Sequence, residues 1–153
     1  MKILLKHRLT KYLFPVKAHK LYLQQMKTVL FILISFVAFT AIASGLLIIS
    51  KPDGSILHLQ LGVLSGTPFN NFLIPGIILV TIVGGTNLIA VFFSMQNHPG
   101  RYAWAIAGGL ITCGWIVVQI LLINTFYWLQ FLYLAAGLST LLVAYQLKGK
   151  WAA

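Results

Sequence analysis

Four stretches of the chain, residues 28–49, 73–95, 102–123 and 128–147, contain no Asp, Glu, Lys, Arg or His. A helix crossing a hydrocarbon core about 30 Å thick needs roughly 20 predominantly apolar residues, and each stretch supplies them. Backbone N–H and C=O groups find no partner in lipid, so only helices and closed barrels cross it. The apolar residues here do not alternate with polar ones as barrel strands require, which leaves helices. Composition agrees: 59% of the residues are hydrophobic and 8% charged, against about 25% charged in a soluble domain. A soluble fold would lack the charge to cover its surface, and the abundance of apolar side chains excludes disorder. At 153 residues the chain has room for little more than one domain. The expected fold is all-α and membrane-embedded, an up-down-up-down bundle of four transmembrane helices.

The charges orient that bundle. Eleven Lys and Arg stand against one acid, Asp53, for a net charge of +10. Seven of them precede the first span: Lys2, Lys6, Arg8, Lys11, Lys17, Lys20 and Lys27. The others, Lys51, Arg101, Lys148 and Lys150, each sit beside an apolar run. If four helices alternate, ten of these cations share one side and Lys51 is alone on the other. The positive-inside rule then places both termini in the cytoplasm. Tyr12, Tyr22, Tyr102, Trp104, Tyr145 and Trp151 fall at the inner interface, and Phe69, Phe72, Phe126, Tyr127 and Trp128 at the outer one, as aromatic belts do. Ala41 and Ala43 before Ser44 have the spacing of a signal-peptide cleavage site. The basic region is too long for one and the apolar run continues to Ile49, so an uncleaved first helix is expected.

Residues 1–27 form a basic cytoplasmic arm. Leu5, Leu9, Tyr12, Leu13 and Val16 recur at helical spacing with Lys2, Lys6 and Lys11 off that stripe, and Pro15 is expected to break or kink the segment. The pattern fits an amphipathic helix whose seven cations contact anionic lipid, or a partly disordered tail that only sets topology. No folded nucleic-acid-binding module is present, and no nucleic-acid partner is expected. Residues 28–147 form the membrane domain and residues 148–153 a cytoplasmic tail. Cys113 is the only cysteine, so it forms no intrachain disulfide and is read as a small hydrophobe.

The outer segment, about residues 45–72, is the most informative. Lys51-Pro52-Asp53-Gly54-Ser55 is a turn signal. Leu57, Leu59 and Leu61 alternate after it, so residues 46–50 and 56–61 are read as a small extracytoplasmic β-hairpin capping the bundle. The alternative is a helix reaching Ile49 followed by a loop. Thr67-Pro68 is a helix start, predicting a short interfacial turn of helix over 68–72 and a break near Pro75. The Asp53-Gly54-Ser55 turn followed by Thr67-Pro68-Phe69, Phe72 and Pro75-Gly76 resembles a group of small four-helix bacterial inner-membrane proteins of uncharacterised function. The resemblance covers roughly residues 45–79, and beyond them only hydropathy, Trp115, Gln119 and the Trp128-Leu129-Gln130 stretch. It implies the fold and a bacterial inner membrane, and no activity.

Ionisable residues at membrane depth usually mark function, and the spans hold none. Proton-coupled transport, haem ligation by paired histidines and dithiol exchange are disfavoured accordingly. No cofactor and no metal site is expected. Thr81-Ile82-Val83-Gly84-Gly85 has a filter-like composition but lies within a continuous span rather than a re-entrant loop. The glycines Gly84, Gly85, Gly108, Gly109, Gly114 and Gly137 are read as sites of close helix approach. Asn87 and Gln119 need partners at mid-span, either an interhelical hydrogen bond or a ligand. Asp53 and His58 form an outer polar pair, read mainly as turn chemistry and a solvated side chain.

The leading expectation is a non-enzymatic protein that works by association, as an accessory subunit or lipid-contacting scaffold of a membrane complex or as a homo-oligomer. The alternative is a binder or carrier of a hydrophobic small molecule or lipid, in a pocket under the outer cap among Asn71, Pro75, Trp115, Gln119 and Gln130, with Asn87 deeper in the bundle. An outer-face lipid-modifying enzyme comes third.

Overall fold

The computed structural model describes residues 2–123 and 127–151, and the side chains of residues 17–123 and 127–149. Helix α1 runs over Lys2–Ser50, α2 over Leu73–Ile78, α3 over Gly85–Met95, α4 over Arg101–Ile123 and α5 over Trp128–Trp151. A π-helical segment, Leu79–Gly84, joins α2 to α3 into one continuous rod. Among the described residues, four helical segments are long and apolar enough to cross a membrane: Lys17–Ser50, Leu73–Met95, Arg101–Ile123 and Trp128–Gly149. The chain is therefore a multi-pass membrane protein.

Three layers of packed side chains fix the up-down order. At one end Leu30 and Ile34 of α1 meet Ala90 of α3, Tyr102 and Ala105 of α4, and Ala144 and Leu147 of α5. In the middle Val37 and Ala41 meet Val83 and Ala136. At the other end Ile48 meets Leu64 and Phe72. The first of these is called the basic end here and the last the cap end. Small residues let the rods approach closely. A Cβ on Gly45 would lie 2.9 Å from the Gly76 carbonyl oxygen, one on Gly84 2.6 Å from Ile42, and one on Gly109 3.0 Å from the Gly137 carbonyl oxygen. A Cβ on Gly137 would meet Cys113 Sγ at 2.6 Å, so the lone cysteine packs as a small apolar group.

The hairpin expected over residues 46–61 is not formed, and the described residues contain no strand. Helix α1 continues through Ser50 because Ile48 and Gly45 pack against Gly76 and Val80 of the second span, contacts that an extended 46–50 segment would lose. Helix also satisfies those backbone groups locally, where a two-stranded hairpin alone is marginal. Gly54, at φ +78°, then turns the chain into a 3-10 turn at Ser55–Leu57, His58 adopts φ +53°, and a second 3-10 turn spans Leu61–Leu64. Leu57 and Leu59 are half-buried while Leu61 is exposed, so the alternating leucines do not share one face.

Residues 68–72, expected as a turn of helix, form bends instead. Thr67 Oγ1 accepts the Phe69 N–H at 3.2 Å and donates to the Leu64 carbonyl at 2.8 Å, which closes a local turn rather than opening a helix. The helix begins at Leu73, whose N–H is taken by Asn71 Oδ1 at 3.1 Å. Pro75 does not break it, because a proline in the first turn removes an N–H that has no helical acceptor there. Helix α1 also runs through Pro15, and α5 carries the presumed tail residues Lys148 and Lys150 as helix. The lipid-contact expectations for Lys2, Lys6, Arg8 and Lys11 fall on side chains outside the described residues. The short tight outer turn that the sequence leads one to expect at Asn124 to Tyr127 falls on residues of which only Tyr127 is described.

A candidate ligand pocket at the cap end

The segment between α1 and α2 folds down over the end of the bundle. Phe72 N–H donates to the Pro52 carbonyl at 2.9 Å, and Leu57 and Leu59 N–H groups both reach the Gly54 carbonyl, at 3.1 and 3.0 Å. Leu57, Leu59, Val63 and Phe69 pack around Ile48, Leu64 and Phe72. Gly54 is required where it stands: it is buried, left-handed, and a Cβ there would lie 2.8 Å from Leu59 Cβ and 3.0 Å from the Phe72 ring.

Beneath this cap lies a cavity of about 240 Å³. Its roof is Leu59, Val63, Leu64, Thr67, Phe69 and Phe72, and its walls are Ile48, Pro75 and Leu79 on one side with Trp115, Val118, Gln119, Leu122, Leu129 and Gln130 on the other. The lining is almost wholly apolar. Gln130 is 6% exposed, and its Oε1 accepts the Tyr127 N–H at 3.1 Å, which caps the start of α5. Trp115 Nε1–H is buried and has no hydrogen-bond partner among the described residues. Buried polar groups are nearly always satisfied, and leaving one unmade costs about 1–3 kcal/mol.

The cavity thus brings together Pro75, Trp115, Gln119 and Gln130, residues separated by up to 55 positions in the chain. Asn71 does not join them; it is exposed and occupied with the Leu73 N–H. Asn87 is elsewhere, 1% exposed at mid-span. Its Nδ2 donates to the Val83 carbonyl at 2.8 Å and to Thr112 Oγ1 at 3.2 Å, and Thr112 Oγ1 in turn donates to the Gly108 carbonyl at 2.7 Å. That is an interhelical clamp. Sequence reasoning missed the roof residues Val63, Leu64 and Thr67, because the expected hairpin ends at Leu61 and Thr67 reads as a helix start. A 3-10 turn over Leu61–Leu64 and the Thr67 hydroxyl on the Leu64 carbonyl instead fold them over the pocket.

Asp53 and His58 are both exposed. The Asp53 carboxylate accepts the Ser55 N–H at 3.0 Å and the Ser55 hydroxyl at 2.8 Å. The Ser55 backbone bond first, then its hydroxyl, hold the Asp53 carboxyl below its ordinary range, with Lys51 adding to the effect. No hydrogen bond or ion pair joins Asp53 to His58 among the described residues, and none of those residues form a group of three or more metal-ligating His, Cys, Asp or Glu side chains.

These features define a four-helix multi-pass membrane protein with a capped apolar pocket at one end. No protein-family model, curated protein or solved structure matches the chain.

Proposed function

We propose that this protein binds a hydrophobic small molecule, or one chain of a lipid, in the pocket under the cap. Trp115 carries the reading: it lines that pocket, and its buried Nε1–H has no hydrogen-bond partner among the described residues. It is a donor that wants an acceptor oxygen, so the favoured occupant has an apolar body and a carbonyl, ester or ether oxygen. The cavity lies just under the usual range of about 300–1,000 Å³ for drug-sized ligands, which suits a ring or an acyl segment. Association through small-residue helix faces has less support, because Gly84, Gly108, Gly109 and Gly137 make their close contacts inside the bundle. The exposure of Asp53 and His58, and the use of the Asp53 carboxylate by Ser55, give an outer-face enzyme little support.

The setting is a bacterial inner membrane with both termini cytoplasmic. The ten-to-one distribution of Lys and Arg supports that orientation, and the Asp53-to-Gly76 pattern supports the membrane.

Gentle extraction followed by native mass spectrometry tests the proposal. The wild-type chain should leave the membrane with one non-covalently bound molecule. Trp115→Phe, which keeps a ring and removes the donor, should lower its retention about tenfold, and Val63→Trp should fill the cavity and abolish it. Asn87→Leu should not alter retention in the folded fraction. A wild-type chain that carries nothing, or carries it equally well with Val63→Trp, refutes the pocket reading. A stoichiometric partner protein in its place would reinstate the accessory-subunit reading.

A further inference from the structure

At the basic end, around Lys27 of α1, the chain builds a second and quite different cavity. A hollow of about 230 Å³, open on one side, is lined by Lys27, Thr28, Leu30 and Phe31 of α1, by Ser94 in the last turn of α3 and Asn97 just beyond it, and by Arg101 and Tyr102 of α4. Two cations from different helices therefore line one hollow. Arg101 is only 7% exposed, an unusual place for a guanidinium. Its Nη1 donates to Asn97 Oδ1 and its guanidinium lies 4.8 Å from the Tyr102 ring centre. Asn97 reaches it from a left-handed backbone, φ +52°, so the fork is held in a set direction.

A third group points the same way. Tyr102 is 5% exposed and its hydroxyl, buried, has no hydrogen-bond partner among the described residues. The cavity also opens at the first turn of a 23-residue helix, where the macrodipole favours an anion. Asp53, the one acidic side chain of the chain, sits in the cap at the opposite end of the bundle, so the field here is positive. A bidentate guanidinium, an ammonium and a phenol donor around one hollow suit a tetrahedral oxyanion better than a carboxylate or an apolar chain.

We propose that the cavity between Lys27, Arg101 and Tyr102 binds a phosphate oxyanion, supplied by the headgroup of an anionic phospholipid of the adjoining leaflet. Lys27 and Arg101 hold the phosphate oxygens, Tyr102 donates its hydroxyl, and Leu30 and Phe31 meet the start of an acyl chain. This is one built site, distinct from diffuse attraction of a basic arm to a charged surface. It does not depend on the pocket at the cap end.

The test uses the full chain in nanodiscs of phosphatidylcholine and phosphatidylglycerol, with retained lipid counted by native mass spectrometry. Wild type should keep one phosphatidylglycerol, enriched about tenfold over its share of the disc, the effect of one charge-assisted hydrogen bond. Lys27→Gln and Arg101→Gln should return the retained lipid to the bulk ratio. Tyr102→Phe, which leaves the ring packing in place, should lower the enrichment several-fold, so the site stays testable if Arg101→Gln does not fold. In a second arm, glycerol 3-phosphate is added to detergent-purified, delipidated protein. If it raises the melting temperature of wild type but not of Lys27→Gln while the nanodisc lipid shows no enrichment, the lipid source is overturned and a soluble phosphate ester takes its place. Bulk-ratio lipid in wild type with no effect of glycerol 3-phosphate, or enrichment unchanged in Lys27→Gln and Tyr102→Phe, overturns the site itself.

Discussion

Replacing Gly108 with Ala probes the mid-span clamp directly. A Cβ at that position would stand 2.7 Å from Asn87 Oδ1, 3.0 Å from Cγ and 3.3 Å from Nδ2, while Asn87 is 1% exposed and has nowhere to retreat. Either α3 and α4 move apart or the Asn87 amide turns away from Val83 and Thr112, to which it donates at 2.8 and 3.2 Å. Overpacking a tight contact costs about 1–3 kcal/mol, and interhelical hydrogen bonds in membrane bundles average about 0.6 kcal/mol, reaching about 1.7. The sum predicts a loss of about 2–4 kcal/mol for Gly108→Ala. Gly114→Ala is the control: that glycine is exposed and a Cβ there has no neighbour within 4 Å, so its effect should stay within about 0.5 kcal/mol. Reversible unfolding in mixed detergent micelles reads both. Shortening the obstacle, as Asn87→Ala in the Gly108→Ala chain, should recover part of the loss, a coupling of about 0.5–3 kcal/mol. If Gly108→Ala is as stable as Gly114→Ala, the clamp is not formed as described and Asn87 becomes a candidate for ligand contact again.

The cap should answer to backbone geometry. Gly54→Ala adds the left-handed cost, about 1–2 kcal/mol, to a clash with Leu59 and Phe72, whereas Gly66→Ala, at φ +86° with open space around it, carries the backbone cost alone. Hydrogen exchange over residues 54–72 should therefore speed up more for Gly54→Ala, and equal effects would show that the cap is not packed at Gly54. The Asp53 turn should respond to acid. Its folded carboxyl is held below the ordinary value of 3.8 by Ser55, so its contribution is fully present above that value and lost as pH falls through the lower folded one. The Ser55 amide resonance should report that loss, and Asp53→Asn should flatten the profile.

How far the sequence could be read depended on which solvent decided the structure. Where lipid did, local composition was enough. Residues 73–95, 102–123 and 128–147 hold no charge and cannot leave backbone groups unpaired; the helices run Leu73–Met95, Arg101–Ile123 and Trp128–Trp151. The four spans and their up-down order follow from that rule alone. Where the chain meets water, the choice passed to contacts between distant residues. The alternation of Leu57, Leu59 and Leu61 suits a strand or a pair of tight turns equally, and packing of Ile48 and Gly45 on Gly76 decided for continued helix. The π-helical stretch Leu79–Gly84 likewise has no local signature; it coexists with Gly84 against Ile42 on one face and Asn87 against Gly108 on the other.

The two cavities show the same division. Pro75, Trp115, Gln119 and Gln130 stand out in the sequence as polar, aromatic or helix-breaking residues in apolar surroundings, but only tertiary packing closes Val63, Leu64 and Thr67 over them. Arg101 reads in the sequence as a topology charge beside a span. Folding buries it against Asn97 and Tyr102 and sets it across a hollow from Lys27. Hydropathy is a sum over neighbours along the chain and survives without coordinates. A pocket is a relation among residues that meet only once the helices have packed.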